Sequence, residues 1–289
     1  MNLIDEPEIE PEGMMIVMKY EMIFLDVDGT LKQEPYNISE NNKKAVRVAC
    51  KAGVKVSIAS GRNKDLLLTT VKELGLYEYG NSYTVALNGA HIIDNNTGKT
   101  LQTIPIPLHL VKQLFHNANK HEITCHVYTE NYVVFNYHDD QYQWYQKGGC
   151  QCELIDLERE DFGLKEAPLK FFLLSKDKSK LRQFKEEMSD STKEVLNAEF
   201  SSIYSLEYTS IHASKGLGME YVCNLFQVPL SKTIAVGDGE NDISMLSKAG
   251  LGIAMKNGLE SVKAVADTIS DYSCKEDGVK EIIHKYFLL

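Results

Sequence analysis

The chain has 289 residues, 43% of them hydrophobic and 25% charged, the proportions of a folded globular protein rather than a disordered or fibrous one. That length suits two domains better than one. The net charge of −10 excludes a non-specific nucleic-acid binder, which displaces counterions with positive charge, and no apolar run is long enough for a bilayer span.

Half of the net charge lies in Asp5, Glu6, Glu8, Glu10 and Glu12, all ahead of the first basic residue. Residues 1–19 therefore read as a solvated acidic tail. They lack the basic start and apolar centre of a secretion signal, so a cytoplasmic location is expected. The first predicted element is a strand over 21–27, apolar without alternation, as in a sheet covered on both faces. Ser39 is placed to cap a helix running to about residue 52, with Gly53 as its stop. A second buried strand follows over 54–59, then a helix from 63 to 74 with Gly75 beyond it. This βαβα order predicts a parallel sheet.

The middle of the chain changes character. CHVYTE, YVVFNY and LKFFLLS, with a helical piece over 179–188, predict a partly exposed antiparallel sheet with helices. The α/β pattern then returns: a helix over 214–226, a strand over 233–238, a helix over 242–248, a strand over 251–255 and a short helix from 259. The expected fold is therefore α/β, a Rossmann-like parallel-sheet core interrupted by an inserted α+β domain. We place the core at 20–103 and 210–289 and the insertion at 104–209.

Chemistry is suggested where predicted strands end, because ligands of open α/β sheets bind beyond the carboxyl ends of the strands. Asp26 and Asp28 stand two residues apart after the first strand, with Gly29 next. Two unit charges ~4 Å apart repel by about 4 kcal/mol at an effective dielectric near 20, so a cation or a proton must offset them. An Asp-rich turn closing a strand is the plain alternative. A second acidic cluster, Asp238 and Asp242 within GDGEND, also follows a buried strand. If the two strands are neighbours, the four acids converge and offer hard oxygen donors suited to Mg²⁺. GDGEND lacks the third glycine of a dinucleotide fingerprint and carries acids where a pyrophosphate would sit. Ser60-Gly61-Arg62 ends another strand, where a hydroxyl and free amides opening a helix can cradle phosphate. Lys215, at the start of a predicted helix, is disfavoured by the helix dipole unless an anion lies nearby.

Taken in order, LDVDGT (25–30), ASGR (59–62), SKG (214–216) and GDGENDISML (237–246) resemble the four motifs of the haloacid dehalogenase-like (HAD) superfamily of phosphohydrolases. ALNGAHIID (86–94) and the insertion resemble its Cof-type, class II B branch. The resemblance runs from residue 20 to the C-terminus. It implies a phosphatase in which Asp26 is the nucleophile and forms an aspartyl-phosphate, while Asp28 is the general acid and base. Ser60, with Gly61, would hold a phosphoryl oxygen; Lys215 would neutralise charge and Asn241 would position the groups. Mg²⁺ would be bound by Asp26, the backbone carbonyl of Asp28, Asp238, and Asp242 directly or through water. Mg²⁺ and Lys215 together bring +3 to a phosphomonoester near −2. Arg62 and Asn88 are candidates for contact with substrate or with the insertion, which would act as a cap closing over the site.

The implied substrate is a small phosphorylated metabolite such as a sugar phosphate, with no nucleic-acid or membrane partner. A phosphomutase on the same motifs is the alternative enzyme, and a sugar-phosphate sensor the non-catalytic one. Other signals read as structural. Gly98-Lys99-Thr100 lacks the first glycine of a P-loop, and residues 95–98 read as a hairpin turn. His121 and His126 read as surface or cap residues, His138-Asp139-Asp140 as a turn or helix start, and His212 as a loop residue. Trp144 and its tyrosine neighbours suggest packing in the cap. The six cysteines, including Cys150 and Cys152, show no zinc spacing.

Overall fold

The computed structural model describes residues 19–32, 37–80, 82–156, 159 and 162–287; the acidic tail, Lys19 apart, lies outside them. Strand β1, Met22–Leu25, has all four side chains buried. Its alternate residues serve different cores. Ile23 and Leu25 join one apolar cluster, Met22 and Phe24 another. A strand with an apolar layer on each face has no polar positions to alternate with, which explains its unbroken apolar reading. Helix α1, Glu40–Lys51, begins where the Ser39 side chain accepts the Asn42 N–H, and it lays Ala45, Val46 and Ala49 on the first cluster. After β2, Lys55–Ala59, helix α2, Lys64–Leu74, is capped by Asn63 and closed by Gly75 at a left-handed φ of 71°. Strands β3, Tyr83–Ala86, β4, His91–Asp94, and β5, Thr100–Thr103, complete this half.

The chain next builds a second layer: α3, Leu108–Lys120; β6, Thr124–Tyr128; β7, Val133–Phe135; α4, Asp140–Lys147; and β8, Cys152–Leu154. It continues with β9, Lys170–Leu174; α5, Lys178–Thr192; β10, Leu196–Ser202; and β11, Ser205–Ser210. The strand order is β10-β11-β9-β6-β7-β8, antiparallel except between β7 and β8. One face buries Leu114, Phe115, Phe171, Phe184 and Tyr208 in a core of its own. The alternate residues His126, Tyr128, Lys170, Phe172 and Glu207 share the other face, which meets the first sheet.

The return half supplies α6, Lys215–Phe226; β12, Thr233–Gly237; α7, Ile243–Leu246; β13, Leu251–Ala254; α8, Glu260–Lys263; β14, Thr268–Ile269; and α9, Gly278–Phe287. Helix α9 packs Val279, Ile282, Ile283 and Phe287 into the cluster shared with α1. The helix expected over 242–248 is shorter, a 3₁₀ turn over Glu240–Asp242 followed by one turn of α7. The core sheet runs β14-β13-β12-β1-β2-β3-β4-β5. It is parallel from β14 to β3, whereas β4 and β5 are antiparallel. The fold is thus α/β with a Rossmann-like parallel region and an inserted α+β cap, and the two antiparallel strands carry the chain toward the cap. Since Leu25 pairs with both Val236 and Ile58, the residues following β12, β1 and β2 emerge side by side at one edge. No helix among the described residues is long and apolar enough to cross a membrane.

Candidate active site

Asp26 follows β1 at that edge and is 5% exposed. Its Oδ1 accepts a bond of 2.6 Å from the Lys215 ammonium, which also donates to Asp242 Oδ1 at 2.5 Å. Lys215 is fully buried in the first turn of α6. A cation is unfavourable there unless an anion faces it, and here two carboxylates do. The second oxygen of Asp242 accepts the N–H groups of Asp238 and Gly239, both at 2.9 Å. Asp242 therefore braces the turn after β12 as well as holding Lys215. Asp238 accepts from the Thr30 hydroxyl at 2.8 Å. Gly29, at φ 92°, packs so closely on Asp238 that a Cβ would lie 2.1 Å from its Oδ2. A side chain has no room there, and the left-handed backbone disfavours one as well.

Asp26, Asp238 and Asp242 each bring an oxygen within 4.8 Å of the others. Burial first, and the neighbouring Asp242 second, push the Asp26 carboxyl well above its usual range despite Lys215. Asp238 rises to about 6, chiefly through burial, with the Thr30 hydrogen bond opposing. Burial alone would lower Lys215, but Asp242 and Asp26 outweigh it and hold the ammonium above its ordinary range. Three carboxylates against one ammonium leave an excess of negative charge on hard oxygen donors. That donor set fits a divalent cation of the Mg²⁺ kind.

The Asp28 carboxylate is held by Arg62, whose Nε and Nη2 lie 2.6 and 2.9 Å from Oδ2 and Oδ1. Ser60 follows β2 and is 2% exposed. The expectation of free amides opening a helix needs correction at this residue: the Ser60 N–H bonds Val85 in β3 at 2.8 Å, and α2 starts only at Lys64. The Ser60 hydroxyl accepts the Arg62 N–H at 3.2 Å. Asn88 lies beyond β3 in a stretch where Leu87, Asn88 and Gly89 all have positive φ, at 50°, 54° and 92°. Such a conformation costs energy for a leucine and needs outside support. Backbone bonds from Leu87 to the Arg62 carbonyl and from Asn88 to the Ser60 carbonyl, both 3.0 Å, provide it. The Asn88 Oδ1 then accepts from Asn241 at 3.1 Å.

Two participants escaped the sequence reading. Lys170 and Glu207, on cap strands β9 and β11, form a buried pair at 2.6 Å, and Glu207 also accepts from Asn88 at 3.2 Å. The available signal was a lone lysine opening the apolar run KFFLL.

The residues set aside earlier stay away from the cluster. His121 pairs with Glu187, and Asp139 caps α4. His126 is buried among Tyr128, Phe135, Tyr145 and Phe172. His212 is exposed, its N–H bonding the Ser210 hydroxyl. Cys150 meets Asn63, and burial pushes the Cys152 thiol up to about 12. Trp144 corrects an expectation: it is 51% exposed, and Tyr142 and Tyr145 do the packing instead.

Residues 23–283 match the family described as haloacid dehalogenase-like hydrolase. The chain belongs to this family. This haloacid dehalogenase-like hydrolase is 29% identical over 270 residues to 5-amino-6-(5-phospho-D-ribitylamino)uracil phosphatase YcsE of Bacillus subtilis (strain 168), covering 92% of this chain and 96% of that one. YitU, a phosphatase of the same description and organism, is 28% identical over 277 residues, covering 93% and 98%. Among solved structures, a haloacid dehalogenase-like hydrolase from Bacteroides thetaiotaomicron covers 93% of this chain and 100% of its own, with a TM-score of 0.82 and 27% identity. Family, fold and carboxylate cluster together make the chain a Cof-type phosphoric monoester hydrolase.

Proposed function

We propose that the protein is a Mg²⁺-dependent phosphatase of small phosphorylated metabolites, such as sugar phosphates, working through an aspartyl-phosphate on Asp26. The observation that carries this reading is the buried contact of Asp26 with Lys215, beside Asp238 and Asp242, at the ends of adjacent parallel strands. A carboxylate oxygen of Asp26 attacks phosphorus, the bond to the leaving oxygen breaks, and that oxygen takes a proton from Asp28. Water then attacks the phosphorus of the acyl phosphate and gives a proton to Asp28, which frees phosphate and restores Asp26. Ser60 and the neighbouring Gly61 hold phosphoryl oxygens. Lys215 keeps Asp26 oriented and offsets the charge that accumulates in the transition state. Asp26, Asp238 and the backbone carbonyl of Asp28, with Asp242 beside them, would hold Mg²⁺, which supplies electrostatic stabilisation of the phosphoryl oxygens when bound.

Leaving-group selection falls to the cleft between cap and core. It has a volume of about 770 Å³ and is lined by Asn88 and Asn241 from the core and by Lys178, Arg182, Lys185 and Phe200 from the cap. That space suits a small molecule larger than phosphate itself. The phosphatase names of the two Bacillus relatives favour hydrolysis over a mutase or a sensor. A screen of phosphomonoesters with and without Mg²⁺, including 5-amino-6-(5-phospho-D-ribitylamino)uracil, is the direct test. Mg²⁺-dependent phosphate release is the expected result. Isomerisation without release would indicate the mutase, and binding without turnover the sensor.

A further inference from the structure

Lys170 belongs to the cap, yet its ammonium is buried against the core. It is 1% exposed, donates to the Gly61 carbonyl at 2.9 Å and to Glu207 Oε2 at 2.6 Å, and lies over the Tyr128 ring at 5.6 Å from its centre. The peptide joining Gly61 to Arg62 is thereby gripped at both ends. Its carbonyl is held by Lys170 from the cap, and its N–H by the Ser60 hydroxyl from the core. From that same peptide the Arg62 side chain extends to clasp Asp28. On the far side, the Glu207 oxygen that holds Lys170 also accepts from Asn88, which in turn accepts from Asn241.

We propose that Lys170 is a positioning residue: acting through the Gly61–Arg62 peptide, it sets the guanidinium against Asp28 and so couples leaving-group protonation to a seated cap. The proposal rests on the phosphatase reading given above. Stability is weak grounds for keeping the pair, since a buried ammonium–carboxylate pair is often no more stabilising than apolar residues of similar volume. Position is different. A charged donor from the cap reaches the one carbonyl whose peptide carries both a bond to Ser60 and the side chain holding the acid. Displacing a catalytic group by ~1 Å costs on the order of 100-fold in rate, so a cap that fixes this peptide controls the proton-transfer step.

The test compares two substrates that differ in their need for an acid. A hexose phosphate expels an alkoxide and requires protonation; p-nitrophenyl phosphate expels a stable phenolate and depends on it far less. Lys170→Met is expected to lower kcat on the hexose phosphate about tenfold more than on p-nitrophenyl phosphate, with Lys170→Arg recovering most of the difference. Glu207→Gln, which keeps the shape but loosens the ammonium, is expected to show the same skew in smaller measure, and it serves if Lys170→Met does not fold. Equal losses on both substrates, or a change confined to KM, would overturn the proposal and leave the phosphatase reading standing. A wild-type protein that releases phosphate from neither these substrates nor any member of the phosphomonoester screen would instead overturn that reading.

Discussion

Arg62 grips Asp28 with two parallel bonds, one to each carboxylate oxygen, at 2.6 and 2.9 Å. The fork uses one lone pair on each oxygen and leaves another free, so the proposed acid can meet a substrate while it is still held. The guanidinium thus guides the carboxylate as well as neutralising it. Arg62→Lys keeps the charge and loses the fork. It is expected to lower kcat on alkyl phosphates roughly 10- to 100-fold, as is typical when acid–base catalysis is impaired. Steady-state rates on one alkyl substrate decide it, and a near-normal kcat would show that the fork is dispensable.

Asp26→Asn separates folding from chemistry. Ionised Asp26 sits among like charges in a buried site, which holds its carboxyl above the usual range, so the charge opposes folding at neutral pH when no cation is present. The amide removes that charge. In chelating buffer the variant is expected to melt at least as high as the wild type, and added Mg²⁺ should raise its melting temperature less. With Asp26 as the proposed nucleophile, hydrolysis should fall by about 1000-fold or more. A Mg²⁺-induced shift as large as in the wild type would remove Asp26 from the metal site.

Gly29→Ala probes the same site from the other side. A methyl group 2.1 Å from Asp238 Oδ2 must push that carboxylate away, and the backbone at φ 92° adds strain of about 1–3 kcal/mol. Weaker Mg²⁺ activation, by roughly tenfold or more in the half-saturating concentration, is expected alongside a lowered melting temperature. Titration of activity with Mg²⁺ checks it, and unchanged Mg²⁺ dependence would mean that Asp238 does not hold the ion.

Acid should loosen the fold through its buried imidazoles. Burial, aided by Lys170, lowers His126 to about 3, and burial, aided by Lys64, lowers His91 to about 4. The unfolded chain binds these protons near pH 6.5, so the stability contributed by the neutral rings is complete above that pH and is lost as pH falls toward 4 and 3. Each ring is expected to take away about 2 kcal/mol by pH 5. His126→Phe keeps a ring against Phe172, 4.8 Å away, and removes a buried Nδ1 that lacks a partner. Its melting temperature should decline less between pH 7 and 5 than that of the wild type; parallel declines would absolve His126.

Local signals were the most legible part of the sequence. Ser39 caps α1 and Gly75 closes α2 as read, and the helix starts read at 63 and 214 fall on the capping residues Asn63 and Ser214, because helix ends depend on a few neighbouring residues. The unbroken apolar runs of β1 and β12 marked a sheet covered on both sides. The hairpin turn at 95–98 was read, but the docking of its strands β4 and β5 beside β3 and the whole of helix α9 were missed, since β3 and α1 decide those placements and not the segments' own pattern. At the candidate site, motif order pointed to the right strand ends, but the pairings were hidden. Nothing near Arg62 in sequence announces Asp28, 34 residues earlier, and Lys170 looked like an ordinary lysine at the start of an apolar strand.

Lys215 and Asp26 touch across 189 residues of chain, and β1 is joined directly to β12 from the far end. During synthesis the amino-terminal half of the core must therefore wait, its central strand lacking one edge partner, until the whole insertion has left the ribosome. The insertion has an apolar interior of its own and can condense during that interval, which shortens the loop that final docking has to close. Premature termination anywhere before residue 233 would leave β1 without that neighbour and Asp26 without its complete surroundings.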